Sequence, residues 1–225
     1  MAPTITYDRV VDLSQEITQT MQVFPAYPKP TFVPWTTREV HGFLSEALFM
    51  ISHTGTHVDA PWHYRTKGKK LHELAVDRFV RPGHLLDVRP AKARAKITAK
   101  KVEAAAKREG VAIQPGEAVL LRTGWEARRG TDAYLFENPG LTKGGAAWLV
   151  RKGASLVGID TANVDLPTAA DFPAHHTLLA ANVPIIENLA NLGAVGASTL
   201  TLVALPLRLR GATGSPVRAV ALVRR

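Results

Sequence analysis

The chain of 225 residues contains no cysteine. That excludes disulfides and thiolate chemistry, so a metal here would have to be held by His, Asp, Glu or backbone oxygen. No apolar run approaches the roughly 20 residues of a membrane-spanning helix. The start, MAPTITYDRVVDLSQEI, lacks the basic stretch and apolar core of a signal peptide, so a cytoplasmic protein without a membrane partner is expected. Acids are scarce, 19 against 28 Lys and Arg, giving a net charge of +9. The excess gathers in KGKK (67–70) and KARAKITAKK (92–101). No aromatic side chains interleave these runs to stack bases and no nucleic-acid-binding signature appears, so they read as wet surface rather than a nucleic-acid interface.

What is present is ordinary globular material, 46% hydrophobic and 21% charged, without a composition break. One domain over 1–225 is expected. Apolar, often β-branched runs bounded by Gly, Pro or Asp predict strands at 43–52, 84–88, 118–124, 155–160, 183–187 and 198–207. Helices are predicted over 98–110, with Thr98 as N-cap and Val102, Ala105 and Ala106 on one face, and over 143–153 and 175–182. The class is α/β with mixed strands. The Pro-rich stretch FPAYPKPTFVPW (24–35) reads as a surface arm that packs on something, a neighbouring subunit being one candidate.

Chemistry concentrates in SHTGTHVDAPWH (52–63), which carries three of the eight histidines and an aspartate at 53, 57, 59 and 63. A helix is excluded by Gly55, Pro61 and the β-branched Thr54, Thr56 and Val58. In an extended chain the four odd positions share one side. A straight strand, rising ~3.3 Å per residue, would hold His53 and His57 roughly 13 Å apart, so one centre requires bends, which Gly55 and Pro61 can supply. A strand ending near His53, a turn at Gly55, and His57 and Asp59 closing on one centre would give an open, hydrolytic type of metal site. The rival reading is a polar surface loop that is rich in His by chance. A second stretch, FPAHHTLLAANVPIIENL (172–189), offers His175, His176 and Glu187. The last ends an apolar run, where a carboxylate is costly unless paired, metal-bound or in reach of water.

The run from His53 to His63 matches HxGTHxDxPxH at every position, and it resembles the metal-dependent cyclase family that includes bacterial kynurenine formamidase (arylformamidase) and isatin hydrolase. VVDLSQEI, LLRTGW (120–125), GIDTANVD (158–165), HHTLLAANVPIIENLANL (175–192) and GSPVRAVAL (214–222) extend the resemblance in family order. It implies a swivelling β/β/α fold with a central mixed, partly barrel-like β-sheet flanked by helices. It also implies His53, His57 and Asp59 as ligands of a first metal, with Asp59 bridging to a second held by His175 and Glu187. In formamidase-like members that His and Glu stand twelve positions apart, which selects His175 over His176. Isatin hydrolases carry Gln where this chain has Glu187 and hold one manganese. Glu187 therefore points to two Zn2+ per chain, with Mn2+ as the alternative.

The resemblance further implies His63 as catalytic acid or base and Glu187 as ligand and proton acceptor, in an amidohydrolase whose bound metal activates water. The expected substrate is an aryl formamide such as N-formylkynurenine, which belongs to tryptophan catabolism; a cyclic isatin-like amide or a lactone is the alternative. Trp62, Tyr64, Trp35 and Phe24 are candidate aromatic walls, each also readable as plain packing. A homo-oligomer, dimer or tetramer, is expected from the family. A metal-binding protein without catalysis is the reading from another class.

Overall fold

The computed structural model describes residues 4–90 and 92–224; residues 1–3, 91 and 225 of the expected 1–225 span lie outside the described residues. The strands are β1 (Arg9–Asp12), β2 (Thr31–Thr36), β3 (Ser45–Phe49), β4 (His57–Asp59), β5 (Val80–Asp87), β6 (Lys96–Ile97), β7 (Ala118–Arg122), β8 (Gly140–Leu141), β9 (Leu156–Ile159), β10 (Ile185–Glu187), β11 (Thr199–Val203), β12 (Gly214–Pro216) and β13 (Val220–Val223). The α-helices are α1 (Arg38–His41), α2 (Ala99–Arg108), α3 (Asp132–Phe136), α4 (Lys143–Arg151) and α5 (Pro173–Ala180).

Nine strands form one sheet curled into a half-barrel, in the order β1-β13-β11-β5-β7-β9-β10-β4-β12. β5, β7, β9 and β10 run parallel, and the rest of the sheet is antiparallel. The three parallel connections contain α2, α4 and α5, as parallel neighbours need crossovers. Alternation along β7 sorts two cores: Ala118 and Leu120 join Val58, Leu156 and Ile186 on one face, while Val119 and Leu121 meet α2, α4 and α5 on the other. Both faces are covered, which is why β7 reads as a continuous apolar run. Fully burying each such Leu, Ile or Val contributes ~1.5–3 kcal/mol before entropy is counted.

Helices α2 and α4 start where threonine caps place them. The Thr98 hydroxyl accepts from the Lys101 N–H, and Thr142 does the same for Gly145. Helix α5 begins two residues earlier than expected, at Pro173, a residue suited to the first helical turn.

Two expectations are corrected, and the Pro-rich arm is located. The strand expected over 43–52 spans only Ser45–Phe49 and lies outside the main sheet, paired with β2 in a separate two-stranded sheet. The Pro-rich arm ends in that same hairpin, β2 taking in its last residues. No strand runs to His53; it lies on the link between β3 and β4.

Candidate metal centre

Strand β4 lies between two strands from the distant end of the chain. His57 stands opposite Glu187 on one side and Pro216 on the other, and Asp59 opposite Ile185 and Gly214. Directly opposed residues point to the same face. His57, Asp59 and Glu187 therefore project together toward α5, while Val58 and Ile186 fall into the other core. Helix α5 packs Ala174, His175, Leu178 and Leu179 inward, so a single turn carries His175 onto the cluster. His176 stays on the exposed side of the helix.

The bend at Gly55, with φ +60°, turns the chain back. His53 and His57, which a straight strand would hold far apart, have ring centroids 5.1 Å apart. His53 Nδ1 lies 2.7 Å from Asp59 Oδ1, and its Nε2 lies 2.8 Å from the Thr213 hydroxyl. The ring needs a neighbour without a side chain, since a Cβ on Gly214 would come within 2.7 Å of His53 Cε1. His57 donates from Nδ1 to the Gly55 carbonyl at 2.8 Å, leaving Nε2 3.3 Å from Asp59 Oδ1. His175 Nε2 is 3.4 Å from Asp59 Oδ2 and 3.3 Å from Glu187 Oε1. His63 sits in a 3-10 turn after Pro61, stacked on the His53 ring at 4.1 Å.

Ligand-capable atoms of His53, His57 and Asp59 all lie within 4.8 Å of one another, as do those of Asp59, His63 and His175. Asp59 belongs to both trios and turns one oxygen to each side. It is 1% exposed, and its Oδ2 receives no hydrogen bond. Among the described residues every ion-pair partner of Asp59 and Glu187 is a histidine; no Lys or Arg reaches them. A buried carboxylate oxygen without a donor is costly unless a cation faces it. Two carboxylates, three imidazoles and an orphaned oxygen between them fit a divalent metal.

The electrostatics show the same demand for positive charge. Burial works against charging His57 and His175, yet the carboxylates prevail. Asp59 and Glu187 raise His57, and contacts with Asp165, Asp59 and Glu187 hold His175 well above the usual histidine range. Burial would raise Asp59, but the charge on His57 and the ring edges of His175 and His53 hold it well below the usual carboxylate range. His63 goes the other way. Burial lowers it to about 4 against the pull of Asp59, with the other imidazoles adding to the fall.

The cluster floors a cavity of about 190 Å3 whose aromatic wall comprises Phe24, Tyr27, Tyr64, Tyr134 and Phe172. Tyr64 stacks on His175 at 4.5 Å, and burial raises its hydroxyl to about 12. Of the four aromatic residues expected here, Phe24 and Tyr64 line the cavity. Trp62 and Trp35 do not. Trp62 lies under the Lys70 ammonium, 4.8 Å from its ring centroid, and Trp35 is 73% exposed on β2. Sequence reasoning missed Tyr27, Tyr134 and Phe172, which no local pattern marks. It also missed Asp165, whose signal was an acid inside the family-like GIDTANVD; the residue is fully buried beside His175.

A buried His and carboxylate cluster able to hold a metal, at the foot of a small aromatic cavity, defines a metal-dependent hydrolase type of centre. The chain belongs to the Cyclase family, whose pattern residues 11–166 match. It is 34% identical to a kynurenine formamidase of Bacillus thuringiensis (strain Al Hakam) over 211 residues, covering 93% of this chain and 95% of that one. A kynurenine formamidase of Bacillus anthracis is as similar, with the same coverage. Among solved structures, isatin hydrolase A from Labrenzia aggregata, bound to benzyl benzoate, superposes with a TM-score of 0.88 at 27% identity, over 96% of this chain and 94% of that one.

Proposed function

We propose that this chain, acting as one catalytic domain over 1–225, is a metal-dependent hydrolase of non-peptide amide bonds, with a small aryl formamide of the N-formylkynurenine type as substrate. The observation that carries the reading is the orphaned Asp59 Oδ2, buried between two groups of histidines under an aromatic cavity. His53, His57 and Asp59 would hold one metal, and Asp59, His175 and Glu187 a second. Glu187 is assigned there rather than His63 because two carboxylates neutralise a dication better than one. The expected pair is Zn2+, with Mn2+ as the alternative. When bound, such a metal lowers the pKa of water from 15.7 toward ~7 and polarises the carbonyl.

The chain's own groups do the rest. The aromatic wall buries the aryl ring and excludes water from it. His63 carries no charge at neutral pH and lies against His53, so one of its ring nitrogens can take a proton from the attacking water. As the C–N bond breaks, His63 returns that proton to the leaving nitrogen, and formate and an arylamine are the products. Metal analysis of protein prepared without chelator, alongside a panel of aryl formamides, isatin-like cyclic amides and lactones, tests the reading. Two metals per chain with formamide hydrolysis is the expected result. One metal with cyclic-amide opening favours the alternative, and turnover of none of the three classes sinks the assignment.

The chain is further proposed to act as a homo-oligomer, dimer or tetramer, built on the β2–β3 hairpin. Val33, Trp35, Val40, Phe43, Leu44, Leu48 and Phe49 are all exposed on or beside it, although an isolated two-stranded hairpin is marginal in water. The chain exposes 11787 Å2, whereas a monomer of 24.4 kDa exposes about 10,000 Å2. The excess, about 1,700 Å2, covers the ~800 Å2 that each partner of a standard interface loses. Light scattering behind size exclusion is expected to report at least a dimer; a monomer at every concentration refutes it.

A further inference from the structure

Three histidines of the centre each have one ring nitrogen occupied away from the cluster, and the three partners differ in charge. His53 meets the Thr213 hydroxyl and His57 the Gly55 carbonyl, both neutral. His175 alone meets a carboxylate: its Nδ1 lies 2.7 Å from Asp165 Oδ2. With Nδ1 donating there, Nε2 is the nitrogen that faces Asp59 and Glu187, and it is the one whose lone pair would serve a metal in place of a proton. Asp165 thereby sets the ring's tautomer as well as its direction.

The same carboxylate anchors the helix that carries His175. Phe172, at the N-cap of α5, has a left-handed backbone and offers no side-chain cap. Asp165 takes over that role, accepting from the Ala174 N–H at 2.6 Å and the His175 N–H at 3.0 Å. It is itself held from both sides. Asn138 donates to its carbonyl at 2.9 Å, Asn163 accepts from its N–H at 2.7 Å, and Gly140 packs so close that a Cβ there would come within 2.5 Å of the Asp165 carbonyl oxygen. Ring, helix start and supporting loop form one rigid unit.

A carboxylate behind a ligating imidazole raises its basicity and fixes its aim, and losing such a partner costs 10- to 100-fold in metal affinity. We propose that Asp165 is a positioning residue for His175, and that it makes the position formed by Asp59, His175 and Glu187 the tighter of the two, filled first when metal-free protein is loaded. Asp59 and Glu187 face both positions, Glu187 lying 3.3 Å from His175 Nε2 and 3.7 Å from His57 Nε2, and Asp165 adds a third carboxylate behind His175 alone. The other position has neutral partners behind both of its histidines.

The inference rests on the two-metal reading above, and the experiment separates the two failures. Zn2+ is titrated calorimetrically into metal-stripped full-length protein, and its arrival is followed on 15N-labelled histidine rings, whose long-range couplings report tautomer and ligation. The His175 resonances are expected to move with the first equivalent and those of His53 and His57 with the second. Asp165→Asn should weaken the first event 10- to 100-fold and leave the second within about twofold. Thr213→Val should weaken only the second. Asp165→Glu should recover part of the first, which a merely structural role would not separate from the second. If His53 and His57 respond first in the wild type, the ranking is overturned without recourse to any variant. Equal loss of both events in a folded Asp165→Asn protein overturns the positioning role. Binding of no Zn2+ by the wild type removes the metal reading itself.

Discussion

Two neighbouring stretches invert the usual rule for what goes inside. From Thr31 to Phe49 the hairpin turns Trp35, Leu48 and Phe49 to solvent. A few residues on, His57 and Asp59 are buried at 3% and 1% exposure. Each inversion costs free energy if left alone, the first as unburied apolar surface and the second as desolvated charge. The remedies differ. The apolar hairpin would be relieved by a covering surface, as in the proposed oligomer, and the polar cluster by a cation. Exposed carbon and buried charge, side by side in sequence, thus pose two different physical demands.

The comparison breaks first if the cluster does not need its central carboxylate. Asp59→Asn is expected to abolish measurable metal content and reduce hydrolysis to background; retention of two metals by atomic absorption would contradict it. Stripping metal from the wild type should lower its thermal midpoint, since a ligand at a hundredfold excess over its Kd contributes about 2.7 kcal/mol. Next in size is His63→Ala, with kcat lowered ~10²- to 10⁴-fold and bound metal unchanged. On the hairpin side, Trp35→Glu combined with Leu48→Glu should yield monomers that still bind metal, read by sedimentation and metal analysis. Loss of metal together with the oligomer would show that the two regions are not separate. The smallest effect sharpens the wall of the cavity: Phe24→Ala should raise KM several-fold, as an aromatic contact worth ~0.5–1.5 kcal/mol implies. Trp62→Ala should leave KM within about twofold.

Legibility followed apolar patterning more than length, since the six-residue β2 was not expected as a strand while the three-residue β10 was. Helices α2 and α4, with threonine caps and a clear inward face, were readable to within a few residues, and so were the buried strands β7 and β9. Strands β4, β6, β8 and β12 were not, because segments such as His-Val-Asp and Gly-Ser-Pro carry no apolar period to detect. Pro216 would argue against a central strand, and β12 indeed lies at the sheet edge. At the centre, the motif from His53 to His63 was legible because its residues are adjacent in sequence. Tyr134, Phe172 and Asp165 reach the cavity or its support only through long-range packing, which leaves no local pattern. Trp35 and Trp62 misled for the complementary reason: closeness in sequence to the motif did not become closeness in space.

Strand β4 has consequences for timing as well as geometry. Its hydrogen-bonded neighbours are residues 185–187 and 214–216, and Thr213 holds the His53 ring. The motif histidines His53, His57 and His63 are therefore synthesised well before the strands that align them. A nascent chain carrying the complete motif is still without an aligned cluster until β10 and β12 emerge, because such non-local pairings close late. Assembly of the cluster is thereby tied to synthesis past Gly214, and a chain truncated before Gly214 would keep the motif without the means to aim it.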